Sequence, residues 1–166
     1  MAGNDHAYYE AVLLGPRRDE APTLLDGDRF VVSDDGHLYS EQALRKAPPL
    51  FWQVPLRTTH HWFGQDGYER PIQIGHVHEA WFVEAACELR AIIAITTEDA
   101  RRYLGSLVLR RAVESCGLSI DATVEALPLS TRLEIVTRIV KVSSVDLAQK
   151  PLTGARLLGC LEPGSW

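Results

Sequence analysis

From Glu79 onward the chain repeats its apolar residues at helical spacing. Trp81, Phe82, Ala85, Ala86, Leu89, Ile92 and Ile93 recur every three or four positions, with Glu84, Glu88 and Arg90 between them. Such a stripe buries one face of a helix. Here it is wider than a surface helix requires, so the pattern predicts a long helix over about 79–95 at the centre of a core. A buried helix needs apolar surface laid around it, and this requirement restricts the fold more than any other feature of the sequence.

The rest of the chain offers mostly strands for that purpose. Arg132 to Val142 is dense in β-branched residues, whose stiff side chains favour a pleated surface. Thr131 and Glu134 form an alternative capping box for a helix there. Ser119 to Leu127 and Ala155 to Leu161 also suit strands, and Glu162 to Trp166 is a tail. Arg29–Val32 and His37–Tyr39 flank Ser33-Asp34-Asp35-Gly36, which predicts a hairpin because Asp-Gly tolerates positive φ. Ser40 to Lys46 fits a short helix stopped by Pro48-Pro49. His6 to Leu14 is a helix or a strand. Leu50 to Phe63 holds one strand or two, with Pro55 at an edge or a break. Thr97 to Ala112 satisfies both a capped helix and, in its second half, strand alternation. The expected fold class is α+β, one domain over 1–166, with an N-terminal extension (1–50) and a core (51–161).

Composition narrows the function classes. With 46% hydrophobic and 23% charged residues the chain matches an ordinary globular protein. A net charge of −5 argues against nucleic acid, which needs a basic face. Arg101, Arg102, Arg110 and Arg111 are read as a solvated face. No apolar run approaches the roughly 20 residues of a membrane span, and the first residues lack an export pattern, so a cytoplasmic location is expected. Cys87, Cys116 and Cys160 lack any C-x-x-C spacing and are read as reduced thiols. Trp52, Trp62, Trp81 and Trp166 are read as core or interface residues.

The titratable groups concentrate at Gly75-His76-Val77-His78-Glu79, where the expected helix begins. A helix start presents unpaired amides and partial positive charge, which can hold an oxygen as it gains charge. Glu84, further along, would act as base, with its proton affinity raised by the apolar face. The plainer alternative is an exposed helix glutamate beside Glu88 or Arg90. On a strand, His76 and His78 would share one face. With His60 and His61 they would suit a metal site, or a nuclease with Tyr103 as nucleophile.

Two stretches resemble the hotdog fold of thioesterases and dehydratases, in which an antiparallel sheet wraps a central helix. Gly75-His76-Val77-His78-Glu79-Ala80 resembles the family's Gly-His-Val-x-x-Ala approach to that helix. Val124 to Ile135 is similar to its strand, Pro-Leu turn and following strand. The resemblance implies a homo-oligomer acting on acyl-CoA or acyl carrier protein thioesters, most simply as a hydrolase, with no bound cofactor or metal. It implies Glu84 as base or nucleophile and His76 or His78 as orienting groups. Gly75, Val77, Glu79, Asp66 and His61 would contact substrate. Two departures stand against it. Pro71 to Ile74 carries no aspartate where many members have one, and the helix acid of the dehydratase branch would fall at Ala80.

Overall fold

The structure, a computed structural model, describes residues 5–58, 71–162 and 164–165. Its strands are β1 (Ala7–Leu14), β2 (Thr23–Leu25), β3 (Asp28–Val32), β4 (His37–Ser40), β5 (Pro55–Thr58), β6 (Ile72–Val83), β7 (Glu88–Ile95), β8 (Gly117–Pro128), β9 (Glu134–Ala148) and β10 (Arg156–Leu161). They pair in the order β2-β3-β4-β9-β5-β6-β7-β1-β10-β8, and β8 pairs again with β9. That second pairing closes seven strands, β9 round to β8, into a barrel. Strands β2 to β4 continue from the other end of β9 as a flap. Residues read from the sequence as an extension thus supply β1, which lies between β7 and β10 within the barrel.

The hotdog expectation is overturned here. Residues 79–95 form no helix: β6 and β7 make an antiparallel hairpin joined by a turn at residues 84–87. Two physical effects imitate the helical period. First, His78 is an extra residue in β6, because Val77 pairs with Ile93 and Glu79 with Ile92. Such a bulge reverses the parity of the strand. Val77 before it faces the core, as do Ala80 and Phe82 after it. Second, β7 is buried on both faces. Leu89, Ala91, Ile93 and Ile95 point into the barrel, while Ile92 and Ala94 are buried outside that core cluster. The turn itself, Glu84-Ala85-Ala86-Cys87, is built from helix formers and lacks glycine. Cys87 adopts the left-handed conformation at φ 53° instead.

Strand β9 shows the same device three times over. Its register against β8 slips at three places, skipping Thr137, Val140 and Ser143. The inward residues of β9 are therefore Val136, Ile139, Val142 and Val145, three apart, while their partners Ala126, Val124, Ala122 and Ile120 are two apart. The extra residues coil the ribbon, so one long strand serves both flap and barrel.

Two helices are described. The short one, α1 (Glu41–Lys46), starts where the sequence placed it: Ser40 Oγ accepts from the Ala43 amide at 3.1 Å. The second, α2 (Glu98–Leu109), resolves the open reading of Thr97 to Ala112 in favour of helix. It buries Ala100 and Leu104 in the core, and Glu98 and Asp99 suit its first turn. The hairpin predicted at Arg29 to Tyr39 and the strands predicted at Ser119–Leu127 and Ala155–Leu161 are present. The Thr131–Glu134 capping box gives way to the start of β9. All three cysteines carry free thiols, with Cys87 and Cys116 buried. No helix among the described residues is long and apolar enough to cross a membrane.

Candidate functional site

The segment Pro48–Phe51 is a tight 3-10 turn, in which successive side chains project about 120° apart. Phe51 is fully buried, whereas Trp52 is 72% exposed. Gln53 follows in the left-handed conformation, at φ 58°. Two backbone hydrogen bonds fasten this corner to β6. The Gln53 amide donates to the Val77 carbonyl at 3.0 Å, and the Val77 amide donates to the Val54 carbonyl at 2.8 Å. Both bonds fall immediately before the His78 bulge. The bulge and the corner together form an open concavity of about 470 Å³ lined by Pro48, Pro49, Trp52, His78, Glu79 and Ala80.

A cluster of rings adjoins this groove on the outer face of the barrel. Tyr8 and His76 flank Ala94 from the neighbouring strands. Tyr8 meets the His78 ring edge-on, with centroids 5.6 Å apart, and His6 lies 6.2 Å from Tyr8 and 6.3 Å from His76. Burial lowers the proton affinity of His76, and the nearby His6 and His78 lower it further. Among the described residues no group of three or more His, Cys, Asp or Glu side chains is placed to hold a metal ion.

The residues expected to form one catalytic centre are distributed differently. Glu84 opens the β6–β7 turn rather than lying on an apolar helix face. Its carbonyl accepts from Arg29 at 2.8 Å, and its exposed carboxylate stands 3.4 Å from Arg45. Gly75 lies mid-strand between Leu56 and Ile95, where an added Cβ would stand 1.9 Å from the Ala94 carbonyl oxygen. Close approach explains this glycine, and the amides near it serve strand pairing. The helix start that was to supply an oxyanion hole does not exist at this point in the chain. Val77 points into the barrel. His76, His78 and Glu79 remain together on the outer face. Asp66, His61 and His60 lie outside the described residues. Tyr103 is on α2 against the core, and burial raises its phenol.

Sequence reasoning missed the corner at Trp52. It took Pro48-Pro49 only as a helix stop and Trp52 as a core or interface residue. The available signal was Phe51-Trp52 just after two prolines, since consecutive side chains leave a 3-10 turn about 120° apart. No family model, curated protein or solved structure matches the chain.

Proposed function

We propose that this protein is a non-catalytic binding module that receives an extended, proline-bearing peptide segment in the groove beside Trp52. The observation that carries this reading is the exposed indole, held outward by a left-handed backbone residue and by two hydrogen bonds to a bulged strand. Strained backbone and fixed apolar exposure both cost stability, and both cluster where a surface is used. Polyproline segments arrive with their backbone already extended and dock on aromatic-lined surfaces with few hydrogen bonds. The groove has that balance, presenting an indole, two prolines and Ala80 against only His78 and Glu79. Glu79 favours a ligand with a basic residue beside its prolines, as does the net charge of −5.

Acyl-thioester hydrolysis, the rival, drew its support from a helix start that has become a strand. The two readings separate in one titration. An arginine-flanked oligoproline peptide added to 15N-labelled protein is expected to shift the Trp52 indole resonance, and Trp52→Ala to abolish binding. That variant should melt within about 0.5 kcal/mol of the parent, because the side chain is mostly exposed. No shift at about 1 mM peptide overturns the proposal. So does turnover of any acyl-CoA in a panel that Glu84→Gln eliminates.

A further inference from the structure

Strand β8 is paired with β9 along its whole length, but its other side has few strand partners among the described residues. Strand β10 pairs with it only at Gly117, and one more bond runs from the Leu118 amide to the Ala155 carbonyl. Ser119 and Ile120 line a small pocket together with Leu152 and Thr153 of the loop after β9. From Asp121 to Leu127 no further strand pairs with this side among the described residues. Free edges of this kind are usually guarded by charged side chains, proline or a bulge, and Asp121 and Glu125 are the charges on the exposed face of β8. Here the first proline is Pro128, after the open stretch, and the bulges all lie on β9, away from the free side.

The composition of the edge identifies its occupant. In Asp121-Ala122-Thr123-Val124-Glu125-Ala126-Leu127 the inward residues Ala122 and Ala126 are placed symmetrically about Val124. An antiparallel copy centred there sets Val124 against Val124, Ala122 against Ala126, Thr123 against Glu125 and Asp121 against Leu127. No like charges face each other directly, and the Ala–Val–Ala row continues the inward face of the sheet. Shifting the centre to Thr123 would oppose Asp121 to Glu125 twice and cost stability. In the favoured register Glu125 lies diagonal to both Asp121 and Glu125 of the second copy, and Arg138, 3.7 Å from Glu125 in the same chain, offsets these acids. Next to the edge Leu127 is 61% exposed and Leu129 49% exposed, so the hairpin tip has apolar surface to cover.

We propose that a second copy of this chain adds its own β8 antiparallel along this edge, centred on Val124, joining two barrels through a continuous sheet. The interface is isologous, so a change at one exposed position counts twice. Thr123 faces solvent in the single chain and faces Glu125 of the second copy in the dimer. Thr123→Asp should weaken dimerisation by about tenfold and Thr123→Lys should tighten it. Sedimentation equilibrium on the full chain and both variants reads these constants, and matching thermal melts at low concentration exclude misfolding. Three results overturn the proposal: a wild-type chain that stays monomeric at about 0.1 mM, a dimer whose dissociation constant is the same in both variants, or one that Thr123→Lys weakens.

Discussion

Gly75 shows how one residue can carry two readings. In the sequence it introduces a histidine-rich run and invites a role in chemistry. In the structure it is the point where β6 passes so close to Ala94 that no side chain fits. The clashing atom is a backbone oxygen within a paired strand, so relief requires the ladder itself to move. Gly75→Ala is expected to destabilise the fold by about 3 kcal/mol, at the upper end for overpacking. A urea midpoint unchanged within error would show that the ladder can shift. Trp52 teaches the converse. Its type suggested a core or interface residue, but type alone cannot reveal which side of a tight turn a side chain leaves. That depends on the hydrogen bonds of Gln53 and Val54 with Val77, a contact between distant parts of the chain.

At the scale of elements, the strands most legible in the sequence were those that alternate or are bounded by turn residues, such as β3 and β4 around Asp35-Gly36. The hairpin of β6 and β7 was not legible, because a bulge, a doubly buried strand and a turn of helix formers add up to a period near 3.6. Much of the reading of the candidate site rested on that false helix. What survived is the proximity of His76, His78 and Glu79, which short sequence separation fixes in either structure. The turn of this hairpin is anchored to other elements by charge. Arg29 on β3 donates twice to Glu41 on α1 at 2.8 Å, and Arg45 donates to Glu41 at 2.6 Å and lies 5.0 Å over the Phe82 ring. The Arg29 hydrogen bonds, then Arg45, hold the Glu41 carboxyl down at about 2, against the opposing effect of burial. Unfolded, Glu41 takes up its proton in the ordinary carboxylate range. Its contribution is therefore complete above that range and is lost as pH falls toward 2. Glu41→Gln should flatten the decline in urea midpoint between about pH 5 and about pH 2 relative to the parent. Parallel curves would mean that the ion network contributes nothing to stability.

For the whole molecule, the barrel is closed by two thin seams. One is the single β10–β8 pair at Gly117. Among the described residues, the other joins β5 to β9 through Leu56–Val145 and Arg57–Asp146 alone, in parallel. At the second seam Arg57 donates to both oxygens of Asp146, at 2.8 and 3.2 Å, and Ser144 Oγ lies 3.3 Å from the same carboxylate. A forked, half-buried pair of this kind is stronger than a simple surface contact. Asp146→Asn should cost about 1 kcal/mol globally. It should also raise amide exchange selectively in β5 and the second half of β9, because a seam opens before the barrel does. Uniform exchange across all strands would contradict that order. The position of β1 has a consequence for how the molecule comes into being. This strand begins at Ala7 and can reach β7 once Ile95 has been made, but its other neighbour ends at Leu161. On a ribosome, β1 must wait with an open side until β10 follows, after every other described strand of the barrel has been made. During that interval the nascent chain exposes the same kind of unpaired strand edge that β8 presents in the single folded chain, among the described residues.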